Sequence, residues 1–395
     1  MKWPEDVVRC LRMHKTEIRS IPIALPFLGE EELEAVRGPI ETGWLTQGPK
    51  VAEFERNFAK RHQVDCALAT TSCTTALHLG LTALGVGAGD EVIVPAFTWV
   101  ATANVVRYCG AHPVFVDVDP LTYNIDPDLV RSAVGERTKA VIAVHLFGQC
   151  ANMDGLKDAA GAIPIIEDAA CAAGASYRGI PAGALGAFGC FSFHPRKSIT
   201  TGEGGMMTTS DPRIAKNAEM LRNHGASISE EVRHHGPKPY LLPEFNMLGF
   251  NYRMTDLQGA VGVEQLKRLD GFLQERRLWA DWYTQELSQV DWLQTPVVLP
   301  DVEPGWQAYV CKVDESLSPQ CRNELMNRLQ ELGVSTRPGT HSVPLLGAYR
   351  SSEYGEPRQF PIAESCDRLT LAIPLHNRMT KEDYEYVVES ILSIN

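Results

Sequence analysis

Lys197 lies in the segment Phe191-Ser192-Phe193-His194-Pro195-Arg196-Lys197-Ser198-Ile199-Thr200-Thr201-Gly202-Glu203-Gly204-Gly205, a dense polar turn between two apolar runs. A lysine in a loop is ordinarily a solvated surface residue, so its chemistry has to be read from its company. One apolar run earlier, Ile165-Ile166-Glu167-Asp168 places an acid at the carboxyl end of a buried strand, where open α/β sheets bind ligands. Capping the following helix is the plainer use of that acid. Further upstream, Thr70-Thr71-Ser72-Cys73-Thr74-Thr75 closes a strand with hydroxyl residues that open a helix. Free N–H groups and the helix dipole make such a place an anion site suited to phosphate, although Ser and Thr are also ordinary N-caps. Ser192 can add a hydroxyl to the same phosphate. Trp99, in Pro95-Ala96-Phe97-Thr98-Trp99-Val100, presents a flat aromatic just past another strand end, fit to stack on a planar ring or simply to pack half-buried.

One chemistry uses all of these parts in this order. Pyridoxal phosphate needs a lysine amine to carry it as a Schiff base and an anion cradle for its phosphate. It also needs a carboxylate on its pyridine nitrogen, because a protonated ring accepts the electron pair left when a proton leaves the amino carbon. Lys197, Asp168, Trp99 and the helix start at Thr74 are the candidates, and their joint occurrence outweighs any one of them.

The surrounding pattern predicts elements able to position them. Short apolar runs alternate with helical patterns between about residues 60 and 210, which predicts a mostly parallel sheet covered by helices. The expected strands are Cys66 to Ser72, Glu91 to Pro95, Pro113 to Val118, Ala140 to Leu146, Pro164 to Asp168, Gly189 to Phe193 and Gly205 to Thr209, several of them apolar on both faces as buried parallel strands are. A helix is expected from near Thr74 to Leu84, and a long charged one over Leu266 to Leu287 after a helical pattern that resumes at Met254. Residues 226 to 247 read as a surface excursion, while Val310 to Val313 and Arg322 to Leu332 read as a strand and a helix of a smaller α/β unit. The expected division is an N-terminal extension at 1–20, a large cofactor-binding domain at 21–265 and a small domain at 266–395.

Composition narrows the function classes. With 395 residues and 44% hydrophobic content the chain can bury a large core, which excludes a fibrous or disordered protein. A formal charge of −12 without a basic stripe argues against nucleic acid as a partner. No apolar run is long enough to span a membrane and the first residues do not read as a signal peptide, so a cytoplasmic protein is expected. The ten cysteines are scattered singly, which reads as reduced thiols rather than a disulfide or zinc framework. His234 and His235 read as part of a solvated loop, and no metal is expected.

The ordered stretches IPIALPFLGEEELEAV, GWLTQGPKVAEFE, TTSCTTALHLGLTALGVGAGDEVIVPAFTWVATAN, HLFGQCANMD, IIEDAACAAGA, FSFHPRKSITTGEGGMMTT, LRNHG, GFNYRMTDLQGAVG and LTLAIPLH closely resemble the DegT/DnrJ/EryC1/StrS family of sugar aminotransferases, from about Ile21 to the C-terminus. The resemblance implies the aspartate aminotransferase fold, with a seven-stranded sheet in the large domain, and active sites shared across a homodimer. It implies that Lys197 carries the cofactor, Asp168 pairs with the ring nitrogen, Trp99 stacks on the ring, Cys73, Thr74 and Ser192 hold the phosphate, and Asn251 reaches the phosphate of the neighbouring subunit. Cys171 stands where many members have Gln or His, which puts the usual contact near the cofactor's hydroxyl in doubt. His194 and Arg196 border either the acceptor or only their own loop, and Glu203 fixes the turn. Arg253 and the segment Trp44 to Gly48 would, by the resemblance, line the substrate channel from the partner subunit, and the turn-like cluster Thr336 to His341 of the small domain would border the sugar site.

By the same resemblance the amino donor is L-glutamate and the acceptor a nucleotide-diphosphate-linked keto-deoxysugar. Members that dehydrate sugars carry His at the lysine position, and this chain keeps Lys197, which implies transamination. The turn TTGEGG resembles members that aminate C4 rather than C3 of the hexose. A keto-cyclitol aminotransferase and a non-enzymatic sensor on the same fold stand as alternatives.

Overall fold

A computed structural model describes residues 19–228, 240–350 and 360–394. Residues 1–18, which hold most of the expected N-terminal extension, and His234 and His235 lie outside the described residues.

Seven strands form the main sheet: β1 (Cys66–Thr70), β2 (Glu91–Pro95), β3 (His112–Val116), β4 (Thr138–Val144), β5 (Ile165–Asp168), β6 (Phe188–Ser192) and β7 (Gly205–Thr209). Their spatial order is β1-β7-β6-β5-β4-β2-β3. β2 pairs in parallel with β3 and β4, β4 with β5 and β5 with β6, while β7 runs antiparallel to both β1 and β6. All seven lie within a few residues of the sequence expectation. The sheet is buried on both faces, as the apolar runs imply. Along β4, Val141 and Ala143 enter one apolar core while Ala140, Ile142 and Val144 enter the other.

Helix α1 (Cys73–Leu84) follows β1 directly. Ser72 caps it: the Ser72 hydroxyl accepts the Thr75 N–H at 3.1 Å, and the Thr75 hydroxyl accepts the Ser72 N–H at 2.9 Å. Helix α2 (Ala101–Tyr108) follows a two-residue strand, Phe97–Thr98. The third helix that matters to the site, α3 (Asp256–Leu287), is continuous over 32 residues and crosses positions 265 and 266 without a break. It begins two residues after Met254, where the helical pattern resumes, and takes in the long charged stretch Leu266 to Leu287. Gly259 and Gly262 weaken the helical signal in between. Those glycines exist for packing, because a Cβ at Gly259 would sit 2.7 Å from the Val51 nitrogen and one at Gly262 would sit 2.6 Å from the Phe54 ring. Both partners belong to the helix Pro49–Arg61, which lies against α3.

A separate core gathers Tyr283, Tyr309, Leu325, Leu371 and Tyr384 around a four-stranded antiparallel sheet of Leu293–Gln294, Tyr309–Val313, Thr370–Ile373 and Arg337–Pro338. Short pairings outside the main sheet join this smaller unit to the larger one: His341 with Thr98 and Ser342 with Phe97, and Val302–Glu303 with Ser176–Tyr177. Among the described residues no helix is long and apolar enough to cross a membrane, and no group of three or more His, Cys, Asp or Glu could hold a metal ion.

Candidate active site

The carboxyl ends of β1, β2, β5 and β6 converge on one edge, the place where an open α/β sheet leaves a crevice for a ligand. Asp168 is the last residue of β5 and is 6% exposed. Its Oδ2 accepts the Thr102 hydroxyl at 2.8 Å, and its Oδ1 accepts the Ala170 N–H at 3.2 Å. The Cys73 thiol at the first turn of α1 lies 3.9 Å from Oδ1. Burial pushes the Asp168 carboxyl up, against the hydrogen bonds from Thr102 and Ala170 and the positive charge of Lys197, which act to keep it ionised.

Lys197 occupies the loop between β6 and β7. That loop is tied at several points: Thr201 N–H and the Thr200 hydroxyl both donate to the Phe193 carbonyl, at 3.0 and 2.8 Å. From α3, Gln265 accepts the Thr200 N–H at 3.2 Å and Gln258 donates to the Glu203 carbonyl at 2.7 Å. The Lys197 ammonium is partly buried and donates to the Cys171 sulfur at 3.1 Å. Burial pulls the amine down, but contact with Cys171 and the nearby Cys73 and Asp168 outweigh it, so its affinity for a proton is raised.

The start of α1 completes the edge. A Cβ at Gly205 would lie 2.3 Å from the Ser72 carbonyl carbon and 2.5 Å from the Cys73 nitrogen, so only glycine lets β7 sit this close beneath the helix start. The N–H groups of Cys73 and Thr74 belong to the first turn, where no intrahelical carbonyl reaches them. A phosphate fits this place by charge and by donor geometry. A lysine, a buried carboxylate and a helix start on one sheet edge are the donor set that pyridoxal phosphate requires.

Residues 26–392 match the DegT/DnrJ/EryC1/StrS aminotransferase family. The chain belongs to that family. It is 38% identical over 379 residues to the spore coat polysaccharide biosynthesis protein SpsC of Bacillus subtilis, covering 95% of this chain and 97% of that one. It is also 38% identical over 381 residues to the GDP-perosamine synthase of Caulobacter vibrioides, covering 95% and 98%. Among solved structures, the aminotransferase TlmJ from Streptoalloteichus hindustanus is 33% identical with a TM-score of 0.86, over 95% of this chain and 98% of that one. Spr1654 from Streptococcus pneumoniae in its PLP form is 30% identical with a TM-score of 0.87, over 95% and 98%. The chain is therefore a pyridoxal-phosphate-dependent aminotransferase with the aspartate aminotransferase fold.

The remaining residues singled out in the sequence fall at graded distances from this edge. Ser192 ends β6, and its hydroxyl accepts the His194 N–H at 3.4 Å. His194 is turned to its own loop, where Nδ1 accepts the Arg196 N–H at 3.2 Å, and Arg196 is exposed. Trp99 is 60% exposed and lies against His341, ring centroids 5.8 Å apart. Asn251 is exposed, and Arg253 donates to the Asn223 side chain at 2.7 Å, so this chain alone does not bring either to Lys197. The Trp44 to Gly48 segment is fixed by Asp256, which accepts the Gly48 and Val51 N–H groups at 2.9 Å.

Two further residues of the edge escape the sequence reading. Glu167 looks like a second acid of the site, yet it is fully buried behind β5. There it accepts the N–H groups of Gly183, Leu185 and Gly186 at 2.7 Å and contacts His145 Nε2 at 2.9 Å. His145 Nδ1 accepts the Ala151 N–H at 3.1 Å, so the proton sits on Nε2 and points to Glu167. Thr102 is the other. Its only signal is the hydroxyl spacing from Thr98 to Thr102, one helical turn.

Proposed function

We propose that the chain moves an amino group from L-glutamate to a nucleotide-diphosphate-linked keto-deoxysugar, at C4 of the hexose, by two half-reactions on one site. The observation that carries this reading is Lys197 in its tied loop, beside the β5 end that holds Asp168 and the helix start at Cys73. The lysine decides between transamination and dehydration, since the family's dehydrating members have His there. The acceptor class is supported by the full-length similarity to GDP-perosamine synthase and SpsC. The C4 position rests on the resemblance of the turn Thr200 to Gly205.

When bound, pyridoxal phosphate supplies an electron sink for the carbanion formed as the amino carbon loses its proton. Lys197 would hold the cofactor through Nζ, and its amine, when free, would serve as the acid and base that moves the proton at the amino carbon. Asp168 keeps the ring nitrogen protonated. The N–H groups of Cys73 and Thr74 and the Ser192 hydroxyl hold the phosphate, and Trp99 covers the ring. In the second half-reaction the same residues run in reverse on the keto sugar.

Exposed apolar side chains at Trp99, Leu242, Phe245 and Leu248 support a second copy of the chain closing the site. In that homodimer Asn251 and Arg253 act on the neighbouring subunit's cofactor and substrate, while Arg196 and His341 border the sugar. A cytoplasmic location is part of the same reading.

The test uses purified protein loaded with pyridoxal phosphate. Borohydride reduction followed by peptide mass mapping is expected to place the cofactor on Lys197. In separate, unreduced protein a single turnover with L-glutamate is expected to yield 2-oxoglutarate, and a nucleotide-linked 4-keto-6-deoxyhexose to gain an amine. Attachment at another lysine overturns the site. Formation of 2-oxoglutarate with a keto-cyclitol accepted in place of the nucleotide sugar overturns the acceptor.

A further inference from the structure

Asp168 is reached by a layer of hydroxyls behind it. Thr102, in the first turn of α2, is fully buried, and its Oγ1 lies 2.8 Å from Asp168 Oδ2. Thr98, also buried, places its Oγ1 3.1 Å from Thr102 Oγ1. The directions of these bonds follow from proton counting. A threonine hydroxyl has one proton and an ionised carboxylate has none to give, so Thr102 donates to Asp168 and Thr98 donates to Thr102. Hydrogen bonds in such a chain polarise and strengthen one another. Among the described residues the other oxygen, Oδ1, has a backbone N–H at 3.2 Å and a thiol at 3.9 Å. One side-chain hydroxyl therefore supplies the strong bond that fixes the carboxylate.

We propose that Thr102 is a positioning residue of the aminotransferase reaction: oriented by Thr98, its hydroxyl fixes the Asp168 carboxylate and keeps it charged for the cofactor's ring nitrogen. This rests on the role given to Asp168 under Proposed function. The charged and titratable groups that face Asp168 are Lys197 from the β6–β7 loop, Cys73 from α1, Cys190 from β6 and His145 after β4. Burial acts against its charge, and Thr102 heads the groups that oppose burial. Thr98 belongs to the strand that pairs with His341 and leads into Trp99, so the relay ties the ring-covering segment and the acid into one unit.

The experiment compares Thr102→Val, Thr102→Ser and Thr98→Val in the full-length holoenzyme. Thermal unfolding first reports whether each variant folds. Pyridoxal phosphate affinity by equilibrium dialysis and the pH profile of the single-turnover rate with L-glutamate are then read. Thr102→Val is expected to weaken cofactor binding and slow turnover by about 10- to 100-fold, the effect of losing one hydrogen bond to a charged group. The acid limb of its profile moves to higher pH, because the carboxylate has lost its best donor. Thr102→Ser stays within about threefold of wild type, since the same bond survives. Thr98→Val changes in the direction of Thr102→Val, by less. Wild-type affinity with an unmoved acid limb in Thr102→Val overturns the proposal, as does a Ser variant impaired as much as Val. If Thr102→Val does not fold, the Ser and Thr98→Val variants decide alone. A wild-type protein whose cofactor is not on Lys197 instead defeats the functional reading, which separates the two failures.

Discussion

The Lys197 ammonium and the Cys171 sulfur meet at 3.1 Å, a contact between a cation and a soft, polarisable atom at a position where many family members carry Gln or His. The contact ties the fate of each group to the other. A cofactor held by Lys197, as proposed, would take the amine from the sulfur and shield the sulfur from a reagent. Iodoacetamide is therefore expected to alkylate Cys171 readily in cofactor-free protein and slowly after loading with pyridoxal phosphate. Cys321, exposed in the small unit and remote from the sheet edge, is the internal control whose labelling stays the same. Peptide mass mapping reads both residues in one sample, and equal labelling of Cys171 with and without cofactor defeats the prediction.

The same contact sets how the cofactor is loaded. Cys171 is the foremost of the groups that outweigh burial and hold Lys197 above its usual range, so the cofactor-free amine is protonated at neutral pH. Only the neutral amine attacks an aldehyde. Loading is expected to accelerate with pH across the neutral range, by about tenfold per pH unit while the neutral fraction is small. Cys171→Ser removes the sulfur, lowers the lysine's hold on its proton and loads faster at pH 7. Stopped-flow absorbance of added pyridoxal phosphate measures both rates.

Asp168 trades stability against chemistry. Burial raises its folded-state affinity for a proton above that of the unfolded chain. A group shifted in this direction stabilises the fold at low pH and loses that contribution as pH rises through the folded value, so at neutral pH the ionised carboxylate is a cost. Asp168→Asn removes the charge and keeps one acceptor oxygen, for the Ala170 N–H, while its NH2 group can donate to the Thr102 hydroxyl. In cofactor-free protein the variant is expected to melt higher than wild type at pH 7, with the difference shrinking on acidification. Its transamination falls by orders of magnitude. Calorimetry across pH, with no added cofactor, checks the sign.

Much of this edge is legible in the sequence, and the illegible part has a common cause. The seven strands announce themselves because each is an apolar run bounded by turn residues, and α1 because Ser72 caps a periodic apolar stretch. Asp168 stands out because a charged residue at the end of a buried strand requires a reason, and Lys197, an ordinary loop lysine taken alone, is singled out by that company. Thr98 and Thr102 do not, since a hydroxyl at the start of a helix is ordinary until its partner is seen 66 residues away. Glu167 misleads for the converse reason. Side chains alternate along a strand, so of two adjacent acids only one faces the crevice, and the other must find donors behind the sheet.

Those donors make Glu167 a structural anchor rather than a second acid. Three backbone N–H groups of the Gly183 to Gly186 turn and the His145 imidazole converge on it in a fully buried place. Glu167→Ala leaves all four without a partner, and each orphaned donor costs about 1–3 kcal/mol. Urea unfolding is expected to show a loss on the order of 3 kcal/mol or more, and Glu167→Gln, which keeps one of the two acceptor oxygens, a smaller one. A near-neutral Ala variant is the result that removes this assignment.

Gly205 tests the phosphate cradle apart from the lysine and the acid. It sits at the start of β7, directly beneath the Ser72 to Cys73 peptide, and the nearest atoms to an added Cβ are backbone atoms at 2.3 to 2.5 Å. Backbone cannot swing aside as a long side chain can, so Gly205→Ala must push the start of α1 away from the sheet. Overpacking of this kind costs about 1–3 kcal/mol. The displaced atoms are the N–H groups assigned to the phosphate, whereas Lys197 and Asp168 sit on other segments and stay in place. Pyridoxal phosphate affinity is therefore expected to fall about tenfold or more, roughly what a cost of that size implies. Affinity for pyridoxal, which lacks the phosphate, should change far less. Isothermal titration of both compounds into Gly205→Ala and wild type measures the contrast, and an equal loss for the two would place the damage elsewhere than the phosphate cradle.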